Sequence, residues 1–116
     1  MFGQMIVGLV LLQIVAHNDP VSVPNGFLTG EHFLREFDSH EQSAYAIGFI
    51  NAILVSPLIT PAAQTVASNV QQCLISRTNT QITEIIRGYL EAMPDRLDLP
   101  LNILSYEALM KSCRAN

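Results

Sequence analysis

The chain has 116 residues, 49% of them hydrophobic and 14% charged, with a formal net charge of -4. That length fits one domain with a modest core, and the apolar share excludes a disordered chain. Ten acidic against six basic residues argue against a nucleic-acid binder, which needs a clustered basic surface for phosphates.

Met5 to Ala16 (MIVGLVLLQIVA) is an uncharged apolar run. It is shorter than the roughly 20 residues a membrane span needs. It matches the apolar core of a secretory signal peptide, with Ala16 as the small residue before a cut ahead of His17. No Lys or Arg precedes it, so the positive region rests on the terminal amine. The competing reading is a buried N-terminal helix or strand. Residues 1–16 are expected to be a signal peptide, leaving an exported mature protein outside the membrane. Residues 17–26, with Pro20 and Pro24, are expected to be an extended leader, and 27–116 the helical domain.

Thr29 suits an N-cap with Glu31 in the first turn, and Leu28, Phe33, Leu34 and Phe37 give a short first helix its apolar side. Ser39 and Gln42 have capping-box spacing and open a second helix. From Ala44 to Val55 the apolar residues keep to no single face, which predicts a central helix packed on several sides. Ala44 and Gly48, four apart, are expected to admit a close neighbour there. Ser56-Pro57 ends the helix.

Thr60-Pro61 reads as an N-cap and first-turn proline of a third helix reaching about Gln72, with Val66, Val70 and Leu74 on its face beside Ala62, Ala63 and Ala67. No charged residue occurs from Gln42 to Ser76. Such a stretch is either a buried helix or dimer surface, or a neutral, solvent-facing recognition loop. On the second reading Ser56, Leu58, Thr60, Gln64, Ser68 and Gln71 are the candidate partner-binding residues.

Thr78 and Gln81 form another capping-box pair. Ile82, Ile85, Ile86, Tyr89, Leu90 and Met93 then follow full helical periodicity, with Thr83, Glu84, Arg87 and Glu91 opposite and Arg87–Glu91 spaced as an ion pair. Pro94 stops this helix. Asp98 is placed to cap a last one, from Leu99 to Ser112, whose core face is Leu101, Leu104 and Ala108, flanked by Leu109. Ile103, Tyr106 and Met110 leave a second apolar strip that leans toward a homodimer. The expected fold is all-α, a small single-domain bundle of four to five helices.

Chemistry has little purchase on this sequence. His32 and Glu36 are one turn apart, with Asp38 and His40 following, but the spacing matches no metal-ligand pattern. No nucleophile elbow and no Gly-rich phosphate loop is present. No catalytic, cofactor-binding or metal-ligating residue is expected, and the chain does not read as an enzyme. Cys73 and Cys113 are the only cysteines. In an exported chain they read as one structural disulfide clasping a C-terminal helix hairpin, with a reactive thiol near Arg77 or Lys111 as the alternative. Closing a loop of about 40 residues contributes roughly 4 kcal/mol in the chain-entropy account.

The run G-F-L-T-G-x-x-F-L (Gly26 to Leu34), then A-Y-x-x-G-F-I-N-A-I (Ala44 to Ile53), C-L-I (Cys73 to Ile75), T-x-x-Q-I-x-x-I-I-x-x-Y-L-x-x-x-P (Thr78 to Pro94) and A-L-x-x-x-C (Ala108 to Cys113) resembles the Rap1a/Tai immunity proteins. The resemblance covers most of the chain after the expected signal peptide. It implies a small helical periplasmic protein that neutralises a peptidoglycan amidase effector of the type VI secretion system, often as a homodimer. Phe37 and the Ser43-Ala44 region stand where many members carry a further cysteine pair. Ser76 replaces a family proline, and Asn51 a frequent aspartate. The alternative function is a small periplasmic acid-stress chaperone, also helical and single-bridged.

Overall fold

A computed structural model describes residues 27–114. The expected signal peptide and leader lie outside the described residues. The described chain is helical, with four α-helices that we label α1 (Ser39–Val55), α2 (Gln64–Leu74), α3 (Asn79–Glu91) and α4 (Leu101–Arg114).

The first helical segment is shorter and wider than its sequence suggests. Thr29 starts it: its Oγ1 accepts from the His32 N–H at 3.4 Å, while its own N–H donates to His32 Nδ1 at 2.9 Å. This is the reciprocal logic of a capping box with an imidazole in place of Glu or Gln. The chain then makes a single π-helical turn, His32–Glu36, closed by Phe37 N–H to His32 C=O at 3.0 Å. Phe33 is buried by this turn, with the Phe37 and Tyr45 rings each 6.1 Å from its own.

The capping box of α1 is built by Asp38 and Glu41, not by Ser39 and Gln42. Gln42 is called inward instead. Its Nε2 donates to Phe33 C=O at 2.7 Å, and its Oε1 accepts from Arg87 of α3. Of α1, only Gln42, Ala46 and Ile50 are buried. The expectation of a central helix packed on several sides therefore fails, because the neighbours cover one narrow stripe. Gly48 meets open space and Ala44 is exposed, so neither admits a close neighbour.

The crowded glycine is Gly30. A Cβ there would lie 3.0 Å from Leu104 Cδ1, 3.1 Å from Leu97 Cδ2 and 3.2 Å from Leu90 Cδ2. This close approach seats residues 28–31 as a strap antiparallel to 97–101, with Thr29 bridging to Pro100. Leu28 C=O accepts from the Leu101 N–H at 2.7 Å, satisfying one of the free donors at the start of α4. The helix begins at Leu101, after Pro100, rather than at Leu99 under an Asp98 cap.

Thr78 and Gln81 cap α3 as expected. Thr83, expected on the polar face, is buried and donates to Asn79 C=O at 2.8 Å, which removes the cost of its hydroxyl. Arg87 pairs with Glu84 one turn back, not with Glu91, because Gln42 draws the guanidinium toward α1.

Two apolar clusters form the core. One joins Phe33, Ala46, Ile86, Leu90, Leu97, Leu101 and Leu104 under the strap. The other joins Ile50, Val70, Leu74 and Leu109 beside the cysteines. There the Cys73–Cys113 disulfide links the last turn of α2 to that of α4, with 5.5 Å between Cα atoms. The bridge ties α2 to α4, while α3, which lies between them in sequence, packs against α1 and α4.

Candidate recognition surface

The stretch Ser56 to Gln72 is not one loop. A short 3-10 turn, Ser56–Leu58, leads through Ile59 and Thr60 to a second, Pro61–Ala63, which runs into α2. The non-helical part is a knuckle held from both sides. Ser56 Oγ donates to Ile53 C=O at 2.6 Å, and the Ile59 and Thr60 N–H groups both donate to Ser56 C=O, at 3.0 and 2.9 Å. Pro57 and Pro61 fix φ on either side.

This rigid knuckle carries the most exposed large apolar side chains described, Leu58 at 85% and Ile59 at 83%. Val55 and Leu54, one turn back on α1, are also exposed. Isolated apolar residues on a surface are ordinary, but a contiguous group marks a contact surface.

Behind the knuckle runs an open groove of about 420 Å³. One wall is Asn51, Leu54 and Val55 of α1 with Leu58, and the other is Gln64, Ser68 and Gln71 of α2. Gln64 Nε2 donates to Ser68 Oγ at 3.0 Å, so part of the polar wall is already ordered. No residue of the groove titrates. It offers apolar surface and amide hydrogen bonds, without charge.

Four of the six candidate residues thus come together: Leu58, Gln64, Ser68 and Gln71 line the groove. Ser56 is turned back onto its own helix, and Thr60 is exposed at the knuckle outside the groove lining. Asn51, Leu54 and Val55 were missed by sequence reasoning. Their signal was the apolar excess of α1, read as burial on several sides when it marks an open face.

The other polar constellations have structural partners. Arg96 makes two hydrogen bonds to Glu107, at 2.7 and 3.0 Å, and the Tyr89 hydroxyl donates to the same carboxylate at 2.7 Å. Hydrogen bonds from Arg96 and then Tyr89 hold the Glu107 carboxyl below the ordinary carboxylate range. Lys111 Nζ sits 5.9 Å from the Tyr89 ring centroid, within cation–π range. His32 Nε2 lies 3.3 Å from Glu36, but Asp38 is engaged in its helix cap and His40 is exposed. Among the described residues, no group of three His, Cys, Asp or Glu side chains is placed to hold a metal ion. Among them, too, no helix is long and apolar enough to cross a membrane.

Compared with models of protein families, with curated proteins and with solved structures, the chain matches none.

Proposed function

We propose that this chain is a periplasmic, non-catalytic, immunity-like protein. It binds a cognate peptidoglycan amidase effector of the type VI secretion system and inhibits it by covering the active cleft. The sequence pattern from Gly26 to Cys113 supports the choice of partner. The observation that carries the binding role is the knuckle: Leu58 and Ile59 stand almost fully in solvent on a turn that prolines and the Ser56 hydrogen bonds hold rigid. Rigid, exposed aliphatic side chains beside an uncharged groove can insert into a cleft with little ordering cost. The disulfide is compatible with an extracytoplasmic location.

Co-expression with a periplasm-directed amidase encoded beside this chain tests the reading. Protection from lysis, lost on Leu58→Glu, is the expected result. Unchanged lysis with every neighbouring amidase, and no complex on co-purification, overturns it. The same exposed aliphatics favour one second reading, the acid-stress chaperone. Sedimentation at neutral pH and near pH 3 separates the two, because an unchanged folded particle in acid removes the chaperone.

A further inference from the structure

The geometry points to Cys73 as a site of thiol–disulfide exchange, where a low-molecular-mass thiolate opens the Cys73–Cys113 bridge in the folded chain. The site is independent of the knuckle and of whatever the knuckle binds.

Exchange needs access to a sulfur. Cys73 and Cys113 are each only partly buried, and both line an open cavity of about 370 Å³ at the ends of α2 and α4. Asn69 and Gln72 of α2 and Met110 and Arg114 of α4 complete its lining. A small thiol therefore reaches the bridge without unfolding the chain.

Charge favours the approach. The nucleophile is an anion, and the chain as a whole is acidic, with a net charge of -4. Among the described residues that line the cavity none is acidic, and Arg114 is the one charge. A partly exposed sulfur beside a cation is the setting in which thiolate chemistry proceeds.

The two sulfurs are not equivalent. Both stand in the last turn of a helix, where the dipole disfavours negative charge. α2 has no basic residue in its last turn, whereas α4 has Lys111 and Arg114. Lys111 lies over the Tyr89 ring, but Arg114 lines the cavity and its Nε donates to Met110 C=O at 3.2 Å. That bond covers one of the free carbonyls at the end of α4. Negative charge is thus better borne on Cys113 Sγ than on Cys73 Sγ, which makes Cys113 the leaving group.

The incoming thiolate attacks Cys73 Sγ in line with the bridge. A new sulfur–sulfur bond forms there, the Cys73–Cys113 bond breaks, and its electron pair leaves on Cys113 as a thiolate. One thiolate enters and one departs, so the step is balanced. A second thiolate attacking the outer sulfur of the mixed disulfide releases Cys73 and carries away the oxidised thiol. Two electrons have then passed to the bridge, and α2 is no longer tied to α4.

Reduced glutathione is the probe. The oxidised full chain is mixed with it at mildly alkaline pH without denaturant, quenched in acid at early times, alkylated and mapped by mass. The expected rate of bridge opening rises with glutathione concentration throughout. The first adduct carries glutathione on Cys73 and the alkyl label on Cys113. Arg114→Gln slows opening several-fold with an unchanged circular-dichroism spectrum, while Arg35→Gln, a cation in the first helical turn, keeps the original rate. A rate that levels off with glutathione, as when unfolding limits access, overturns the proposal. So does a first adduct chiefly on Cys113, or an Arg114→Gln chain that reacts at the original rate.

Discussion

Cys73 and Cys113 bring the last turns of α2 and α4 to 5.5 Å between their Cα atoms. The bridge stands beside the smaller core cluster, where Ile50, Val70, Leu74 and Leu109 are the buried residues. Cys113→Ser is expected to lower stability by about 2–5 kcal/mol, the usual cost of losing a native disulfide from a small domain. Urea unfolding with and without reductant checks it. Reductant should destabilise the unmodified chain and leave Cys113→Ser unchanged.

Gly30→Ala should destabilise the fold by about 1–3 kcal/mol, the range for overpacking a core. The added methyl group meets Leu104, Leu97 and Leu90 at 3.0 to 3.2 Å. It therefore pushes the strap away from 97–101 and strains the Leu28–Leu101 hydrogen bond. Gly48→Ala, where nothing stands within 4 Å, is the matched control. In α1 it should stabilise slightly, because alanine favours a helix over glycine.

Ser105 is fully buried, and among the described residues its Oγ has no partner in hydrogen-bonding geometry. Tyr45 faces it, and burial, opposed only in part by the serine, pushes the Tyr45 pKa up. A buried hydroxyl without a partner costs about 1–3 kcal/mol. Ser105→Ala should thus leave stability unchanged or raise it, read as an equal or higher melting temperature. A fall of several degrees would place a needed hydrogen bond at Ser105.

The Arg96–Glu107–Tyr89 cluster gives a pH signature. Glu107 has a depressed pKa in the fold, so its contribution is present above the unfolded-state value, about 4.3. It is lost as pH falls through the lower, folded value. The Tyr89 hydroxyl is pushed up, first by its hydrogen bond to Glu107, so its share is lost only as pH rises through that raised value. The melting-temperature gap between the unmodified chain and Glu107→Gln should be largest near neutral pH and close in strong acid. It should be small throughout, because Arg96 and Glu107 side chains are 38% and 32% exposed and water screens them.

Local signals were the legible ones. Thr78, Gln81 and the periodic face of α3 are written within one segment, and the structure follows them. The two cysteines had one possible intramolecular pairing. At Ser39 and Gln42 the pattern was one residue late, because Asp38 and Glu41 offer the same cap with carboxylates, and Gln42 is bound by Phe33 and Arg87 from other segments. The close-packed glycine was sought at Gly48 and found at Gly30, since only the tertiary meeting of strap and α4 decides which backbone is crowded. The groove was half legible for the same reason. Lack of charge from Gln42 to Ser76 drew attention to Leu58, Gln64, Ser68 and Gln71, but no periodicity tells whether an apolar face of α1 is covered or open.

Binding of the purified chain to the amidase proposed as its partner, measured by calorimetry with and without Leu58→Glu, tests the recognition surface most directly. The account predicts tight binding by the unmodified chain and a loss of about 30-fold or more on Leu58→Glu, the size of a hot-spot substitution, with Arg35→Ala at the exposed first turn unchanged. Equal affinity for the unmodified chain and Leu58→Glu would contradict it.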